Sequence, residues 1–281
     1  MNASDKPLVS VLMTAYNRER YIGTAIESVL ASTYNHLELI IVDDRSKDRT
    51  VEIARGYVAN DPRVRVYVNE QNLGDYPNRN KAAGYARGKY LKYVDADDYI
   101  YPWGLDMLVR MMEAFPRAGW GLCSLPQVVE RPYPFQLDPK QAYEHHYFGP
   151  GLFHKAPLSS IFLREAFVKA GGFSDKRMVG DMEMWHRMAL QFPVLLMPDG
   201  VVWYREHDSQ EFNDAGQFTV RYEEVALQYL KDPACPLTRG QIRQIVSKRK
   251  RQWLKFACLH LIRLRWGRAA DDLRIWYRYA A

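Results

Sequence analysis

The residues best suited to chemistry are three carboxylates that lie within four positions, Asp95, Asp97 and Asp98. They follow Tyr90–Val94, whose aromatic and aliphatic side chains are typical of a buried strand. In open α/β sheets, ligands bind outside the carboxyl ends of the strands. Clustered carboxylates there suit Mg²⁺ or Mn²⁺, with phosphate oxygens as further ligands. The alternative is a solvated acidic turn that precedes a helix near Pro102.

Two earlier strand-like segments also end in polar residues. The nearly continuous apolar run Leu8–Thr14 is followed by Ala15-Tyr16-Asn17-Arg18, and Leu37–Val42 is followed by Asp43-Asp44. Because the carboxyl ends of parallel strands share one edge of a sheet, we expect all three polar ends to meet where a nucleotide would bind. The sequence has no Gly-x-Gly-x-x-Gly after the first strand and no P-loop motif, so we predict that a metal ion holds the phosphates.

Strand-like and helical patterns alternate through the first part of the chain. The strand-like segments are separated by segments with apolar residues at helical spacing, and the connections are short. This alternation predicts an α/β fold with a mostly parallel, doubly wound sheet flanked by helices. The strand-like segments are Leu8–Thr14, Leu37–Val42, Val64–Val68 and Lys89–Val94.

Composition is ordinary for a globular protein of a reducing compartment. The 281 residues are 47% hydrophobic and 26% charged, and the three cysteines match neither a disulfide framework nor a Cys-x-x-Cys site. No apolar stretch approaches the roughly 20 residues that span a bilayer, and the N-terminus lacks the apolar core of a signal peptide. We therefore expect a cytoplasmic protein.

Positive charge is concentrated at the C-terminus. Residues 239–281 contain 12 Lys and Arg against two Asp, a net charge of +10, whereas the preceding 238 residues hold 27 basic and 31 acidic groups, a net of −4. Apolar residues that include Trp253 and Trp266 recur there at helical spacing, which predicts basic amphipathic helices. Such helices suit peripheral docking on an anionic membrane, here the inner face of the cell membrane. The alternative is packing on the preceding domain, and we predict no nucleic-acid partner because no recognised binding module accompanies the charge.

The segment between these regions shows weaker patterns. Phe162–Phe173 reads as a helix that ends at a glycine pair, and another helix begins near Gly180 with Asp181 in its first turn, where an acidic residue is a common N-cap. His145 and His146 are interpreted as loop residues rather than as ligands of one metal ion, since neighbouring side chains of an extended segment point apart.

Four short segments follow one another along the chain with distinctive motifs: Val9–Asn17, Ile41–Ser46, Asn72-Leu73-Gly74 with Arg79-Asn80, and Val94–Asp98. Together they resemble the successive motifs of family 2 inverting glycosyltransferases, over roughly residues 7–210. The resemblance implies the glycosyltransferase A fold. It divides the chain into a catalytic domain at residues 1–236 and a basic helical extension at residues 237–281. Within the domain, about 1–125 would bind the nucleotide-sugar and 126–236 the acceptor.

The resemblance also implies which residues bind the donor and a metal ion. Asp97 would hold Mn²⁺ or Mg²⁺, and His207 could approach the same metal or the diphosphate. A UDP-sugar is the favoured donor, with Tyr16 as a stacking surface for its base. The implied donor-binding residues are Thr14, Ala15, Tyr16, Asp43, Asp44, Arg79, Asp95, Ala96 and Asp97.

The catalytic base of the family lies at an acidic position that corresponds to Asp181, with Glu183 as the rival candidate. The chain departs from the family's Glu-Asp-x-Asp pattern, because Gly180 replaces the first Glu and Glu183 the second Asp. The implied reaction is metal-dependent, inverting transfer of a sugar from a nucleoside-diphosphate sugar to a hydroxyl of a glycan or lipid-linked acceptor, in bacterial surface polysaccharide synthesis. Two alternatives stay open: a sugar nucleotidyltransferase, and a catalytically silent membrane-docking scaffold of the same fold.

Overall fold

A computed structural model describes residues 6–126, 131–207 and 218–280 of the chain. The strands are β1 (Val9–Ala15), β2 (Leu37–Asp43), β3 (Val64–Val68), β4 (Tyr90–Tyr93), β5 (Tyr99–Ile100), β6 (Trp120–Leu125), β7 (Phe135–Leu137), β8 (Ser160–Leu163), β9 (Val194–Pro198) and β10 (Val202–Trp203). The helices are α1 (Ile22–Leu30), α2 (Thr50–Val58), α3 (Asp75–Gly84), α4 (Gly104–Ala114), α5 (Pro139–Phe148), α6 (Arg164–Lys169), α7 (Gly180–Gln191), α8 (Thr219–Leu230), α9 (Arg239–Ile262) and α10 (Trp266–Ala280).

The large sheet has the strand order β3-β2-β1-β4-β8-β6-β9-β7. Its first four strands are parallel, as the sequence predicts, and β1 pairs with β2 along its whole length. Beyond β4 the sheet is mixed, because β8 runs antiparallel to both β4 and β6. The α/β fold class is therefore confirmed, and its parallel half carries the predicted nucleotide edge.

Two local predictions in the second half of the chain are wrong. Phe162 lies in β8, and the helix begins only at Arg164, because pairing with β4 and β6 outweighs the local helical pattern. His145 and His146 lie in helix α5 rather than in a loop. The Nδ1 atom of His146 accepts the backbone N–H groups of Leu152 and Phe153, each at 3.2 Å, so this side chain orders the turn that follows the helix.

The chain forms two compact units, one of Met1–Pro139 with His154–Glu206 and the other of Lys140–Phe153 with His207–Ala281. The first contains the large sheet, whose core is built from aliphatic residues of β1 and β2 and of helices α1 and α4. The second contains the basic tail together with α5 and α8, whereas the sequence places a boundary at residue 236. Across the described ranges, no helix is both long and apolar enough to cross a membrane.

The basic tail folds into two helices whose apolar residues pack within the second unit. Trp253 of α9, Ile275 and Tyr279 of α10 and Leu227 of α8 form a buried cluster. Glu223 makes polar contacts next to this cluster. It accepts a hydrogen bond from the Tyr279 hydroxyl at 2.6 Å and pairs with Arg249 at 2.5 Å. Much of the apolar stripe of α9 is therefore used in packing helices together.

Gly88 allows a close approach between the segment before β4 and the start of β1. A Cβ atom at this position would lie 2.6 Å from the backbone N of Ser10 and 2.7 Å from the carbonyl oxygen of Leu8.

We expect Gly88→Ala to lower the free energy of unfolding by about 1–3 kcal/mol, because backbone atoms of the sheet must move. Gly56→Ala on α2 is the matched control: its Cβ meets no atom within 4 Å, and it should stabilise by about 0.5–1 kcal/mol. Urea unfolding measures both, and equal effects would contradict the close-approach argument.

Candidate active site

The carboxyl ends of β1, β2 and β4 meet at one edge of the sheet, as predicted. Thr14 and Asp95 touch there, with the hydroxyl donating to Oδ1 at 3.3 Å. The backbone N–H of Asp44 donates to the carbonyl of Ala15 at 2.8 Å, and that of Ala96 to Thr14 at 3.3 Å. Parallel pairing thus brings the three polar strand ends into a single cluster.

Arg79 is the buried cation of this cluster. Its guanidinium pairs with both carboxylate oxygens of Asp95, at 2.6 and 2.9 Å, and its Nε donates to Asp75 at 2.8 Å. Arg79 and Asp75 both belong to α3, so this fork ties the first turns of the helix to the end of β4. A bidentate, charge-assisted pair of this kind fixes orientation as well as charge.

Asp97 is paired with Arg18, a residue to which the sequence argument gave no role. The Nε of Arg18 donates to Oδ2 of Asp97 at 2.7 Å, and its Nη1 donates to the carbonyl of Tyr16 at 3.1 Å. The Asp97 side chain keeps 14% of its area exposed. Arg205 approaches from β10's end and donates from Nε to the backbone carbonyl of Asp97 at 2.8 Å.

Asp98 differs from its two neighbours because it is buried. Burial raises its pKa to about 8, and the negative charge of Asp95 adds to the shift. Its Oδ1 accepts the backbone N–H of Arg205 at 3.0 Å. Asp98 therefore anchors the segment after β10, which leaves Asp95 and Asp97 as the carboxylates of the triplet with exposed side-chain area.

Asp43 and Asp44 are buried and organise the loops around them. Asp43 accepts the backbone N–H and the hydroxyl of Ser46, at 2.7 and 2.5 Å, and burial raises its pKa. Asp44 accepts the backbone N–H groups of Leu73 and Gly74 and the amide of Asn69, all at 2.8 Å. Direct contact of these two carboxylates with a donor stays a prediction.

Tyr16 is the exposed aromatic residue of the edge, with 41% of its surface accessible. It precedes Asn17, whose φ of 53° lies in the left-handed region and turns the chain away from β1. Two hydrogen bonds hold this turn: the N–H of Asn17 donates to Ser46 Oγ at 2.8 Å, and its Oδ1 accepts the N–H of Lys47 at 2.9 Å. An exposed ring next to an ordered turn suits stacking on a nucleobase.

Asp181 lies in the first turn of α7, next to the Arg79 group. Burial raises its pKa to about 6; the N–H of Met182, which donates to it at 2.6 Å, opposes the shift, and the charge of Asp75 adds to it. The hydroxyl of Tyr76 also hydrogen-bonds to this carboxylate. A carboxylate that titrates near neutral pH is suited to proton transfer.

Gly180, the departure from the family pattern, has a steric reason. A Cβ at this position would lie 2.7 Å from two ring atoms of Tyr76 and 3.0 Å from the carbonyl of Ser174. Tyr76 is buried and stacks on Phe173, with ring centroids 5.5 Å apart. Where the family pattern has a Glu side chain, Gly180 thus leaves room for the Tyr76 ring, which packs against the start of α7.

Glu183 is engaged elsewhere. It is buried, accepts the hydroxyl of Ser174, and pairs with Lys176 at 2.9 Å. The carboxylate of Glu183 is thus occupied by a cation and a hydroxyl from the segment that precedes α7. The geometry therefore favours Asp181 of the two candidates.

The residues present fit a metal ion that is held mainly by its substrate. No group of three or more His, Cys, Asp or Glu side chains suited to a metal occurs in the described part of the chain. A Mg²⁺-type ion needs only one or two carboxylates when phosphate oxygens and waters supply the other ligands. The Arg18 guanidinium, 2.7 Å from Asp97, shows that this carboxylate accepts a cation. His207 is half-buried and directly precedes residues 208–217, which lie outside the described ranges, so its metal role stays a prediction.

Comparisons with known proteins agree with this fold. A family model described as "Glycosyl transferase family 2" matches residues 10–171, more than half of the chain. The Bacillus subtilis protein named "Putative teichuronic acid biosynthesis glycosyltransferase TuaG" is 42% identical over 108 residues, which are 38% of this chain and 42% of that protein. The chain spans less than half the length of the curated relatives it matches.

Solved structures extend the similarity to most of the chain. S. aureus TarS 1-349 in complex with UDP-GlcNAc has a TM-score of 0.66 and 19% identity, over 84% of this chain and 70% of TarS. Mannosyltransferase PcManGT from Pyrobaculum calidifontis, in complex with GDP-Man and Mn²⁺, has a TM-score of 0.62 and 17% identity, over 98% and 87%. The chain therefore has the glycosyltransferase A fold. It belongs to glycosyl transferase family 2.

Asp44 offers a test of how the edge is held together. Asp44→Ala removes the acceptor of three donors, two of them the backbone N–H groups of Leu73 and Gly74, so we expect the free energy of unfolding to fall by about 2–4 kcal/mol. The matched control is Asp106→Ala, which removes a pair with the exposed Arg110 and should cost about 1 kcal/mol or less. Chemical denaturation checks both. Similar losses would show that Asp44 does not organise the loop.

Proposed function

We propose that this chain transfers a sugar, with inversion, from a UDP-sugar to a hydroxyl of a glycan or lipid-linked acceptor, with the help of a divalent metal ion. The observation that carries the proposal is one continuous group of side chains. Arg79 joins Asp95 to Asp75, Asp97 follows Asp95 by two positions, and the charges of Asp75 and Arg79 act on Asp181. The residue proposed to act on the leaving group, Asp97, and the residue proposed to act on the acceptor, Asp181, therefore belong to the same edge of the sheet.

The relatives support the choice of substrates. TarS is solved with UDP-GlcNAc and PcManGT with GDP-Man and Mn²⁺, so a nucleoside-diphosphate sugar is the donor class and a divalent cation is its companion in a protein of this fold. We propose uridine as the base. The name of TuaG, in teichuronic acid biosynthesis, supports a surface polysaccharide as the acceptor.

Each residue of the edge then has a task. Tyr16 stacks on the base, and Asp95, oriented by Arg79, meets the ribose. Asp97 would hold the metal ion, which supplies positive charge for the leaving diphosphate when bound. Arg18 and Arg205 add positive charge at the same place, since both donate to Asp97.

Asp181 acts at the acceptor. Its carboxylate takes the proton of the attacking hydroxyl while the new glycosidic bond forms and the bond to the diphosphate breaks, which inverts the anomeric carbon in a single displacement. No covalent intermediate on the protein is needed. Burial keeps Asp181 basic enough for this transfer, and the Met182 N–H and Tyr76 hydroxyl orient it.

The metal prediction concerns donor binding. Titration calorimetry with UDP-GlcNAc should show binding that requires Mn²⁺ or Mg²⁺ and falls at least about tenfold in Asp97→Ala, because one carboxylate ligand is lost. Asp106→Ala, an acidic residue of α4, serves as the matched control and should bind normally. Undiminished affinity in excess chelator would contradict metal dependence. Release of pyrophosphate in place of nucleoside diphosphate would contradict sugar transfer.

The catalytic prediction separates Asp181 from Glu183. Asp181→Asn should lower kcat by about 10²–10⁴-fold while donor affinity is retained, because a base acts in the transition state. Glu183→Gln should keep kcat within a few-fold and lose stability instead, since it breaks the pair with Lys176. Steady-state kinetics with thermal melting checks both. A dead Glu183→Gln beside an active Asp181→Asn would reverse the assignment.

The pH dependence follows from the raised pKa of Asp181. Below about pH 6 the folded enzyme carries a proton on Asp181 and cannot accept one from the acceptor. We therefore expect kcat to fall about tenfold per pH unit below 6 and to level off above it. Rates of nucleoside diphosphate release across pH 4.5–8 measure this limb, roughly spanning the titration. A plateau that extends to pH 4.5 would contradict the base assignment.

A further inference from the structure

Residues 261–268 form an ordered corner that includes the end of α9, the turn 263–265 and the start of α10. Its backbone closes with the N–H of Leu264 donating to Leu261 at 3.0 Å and that of Arg265 donating to His260 at 2.8 Å. Leu264 has a φ of 55°, in the left-handed region where glycine or asparagine is usual. Leu264 is therefore held in a backbone conformation that is unfavourable for a bulky side chain.

The corner exposes three large apolar side chains to solvent. Ile262 is 79% accessible, Leu264 is 72% and Trp266 is 64%. They alternate with Arg263 and Arg265 along the chain. Exposed apolar residues that lie together mark an interaction surface more often than isolated ones do.

A cavity of about 410 Å³ lies beside the corner within the second unit. Its lining includes Trp253, Phe256 and Ile275, and it also includes Arg263 and Arg268 from the corner itself. The size is within the range of small-molecule sites in proteins. The indole N–H of Trp253, one of the lining residues, is buried and has no hydrogen-bond partner among the described residues.

The charge at the corner indicates that its binding partner is anionic. Arg263, Arg265 and Arg268 face solvent, and residues 261–270 contain no acidic side chain. The two acidic residues of the lining follow in α10: Asp272 pairs with His260 at 2.6 Å, and Asp271 lies 3.9 Å from Arg274. Apolar side chains with tryptophan, interleaved with arginine, match the interfacial zone of an anionic bilayer, where rings settle at headgroup depth.

We propose that this corner inserts into the headgroup region of an anionic membrane, and that the cavity beside it takes an acyl chain of one membrane lipid. Arg263 and Arg268 bind the phosphate of that lipid. This narrows the surface expected from the sequence, since Trp253 and Ala257 of α9 are buried in the second unit and face no membrane. The proposal rests on the second unit alone and is independent of the sugar donor.

Vesicle flotation of the full chain tests the corner. The protein should float with vesicles of phosphatidylcholine and phosphatidylglycerol in about equal parts, and stay down with phosphatidylcholine alone. Leu264→Asn with Trp266→Gln should weaken binding by at least about tenfold, because two inserted side chains are lost. The matched variant, Val168→Asn with Tyr277→Gln, removes side chains of similar exposure, 66% and 68%, and should float normally.

The arginines are tested by equal charge removal at two places. Arg263→Gln with Arg268→Gln should reduce flotation at least about fivefold more than Arg243→Gln with Lys248→Gln, which removes two exposed cations from the first half of α9. Equal losses would overturn the specific role of the corner. Flotation of neither wild type nor variants, or of all of them alike, would overturn membrane insertion and leave an acidic protein partner as the reading of the surface.

The cavity is tested by native mass spectrometry after incubation with phosphatidylglycerol. The wild type should retain one lipid, and Val220→Trp, which narrows the cavity from α8, should lose it while still floating. Circular dichroism confirms that each variant is folded. A wild type that retains no lipid, or a folded Val220→Trp that retains it equally, would overturn the lipid site.

Discussion

The pair between Arg79 and Asp95 is the interaction on which the edge depends. Arg79 pairs with Asp75 and with Asp95, and its charge also acts on Asp181, where it opposes the rise in pKa that burial causes. The Arg79 guanidinium is buried and lies over the Tyr93 ring, 5.6 Å from its centroid. The Tyr93 hydroxyl donates to the backbone carbonyl of Arg79 at 3.1 Å. A single fixed cation therefore lets neighbouring carboxylates serve different purposes.

The meeting of the polar strand ends could be predicted from the sequence, because neighbouring parallel strands run in the same direction. Once Leu8–Thr14, Leu37–Val42 and Lys89–Val94 are taken as parallel strands, their carboxyl ends must lie side by side. The roles of Arg18 and Arg205 could not be predicted in this way. Their long side chains reach Asp97 only because particular loops turn as they do, for example at Asn17 with its positive φ.

The second half resisted prediction for a different reason. Strand β8 is fixed by antiparallel pairing with β4 and β6, partners far away in sequence, so local periodicity favoured a helix at Phe162. The tail shows the converse case, since its helices follow the amphipathic pattern. The pattern could not say which apolar side is already covered: Trp253 is buried, whereas Trp266 is 64% exposed. Only packing distinguishes them.

Arg18 on Asp97 has a consequence for the order in which ligands arrive. A tethered guanidinium competes at high effective concentration, so Asp97 in the resting chain is already neutralised and has little to offer a free ion. A cation that comes with a diphosphate brings oxygens of its own and can displace the guanidinium, which then faces the new negative charge. Under the proposed function, the chain would bind a free metal ion weakly and would bind the same ion well when it arrives together with its nucleotide.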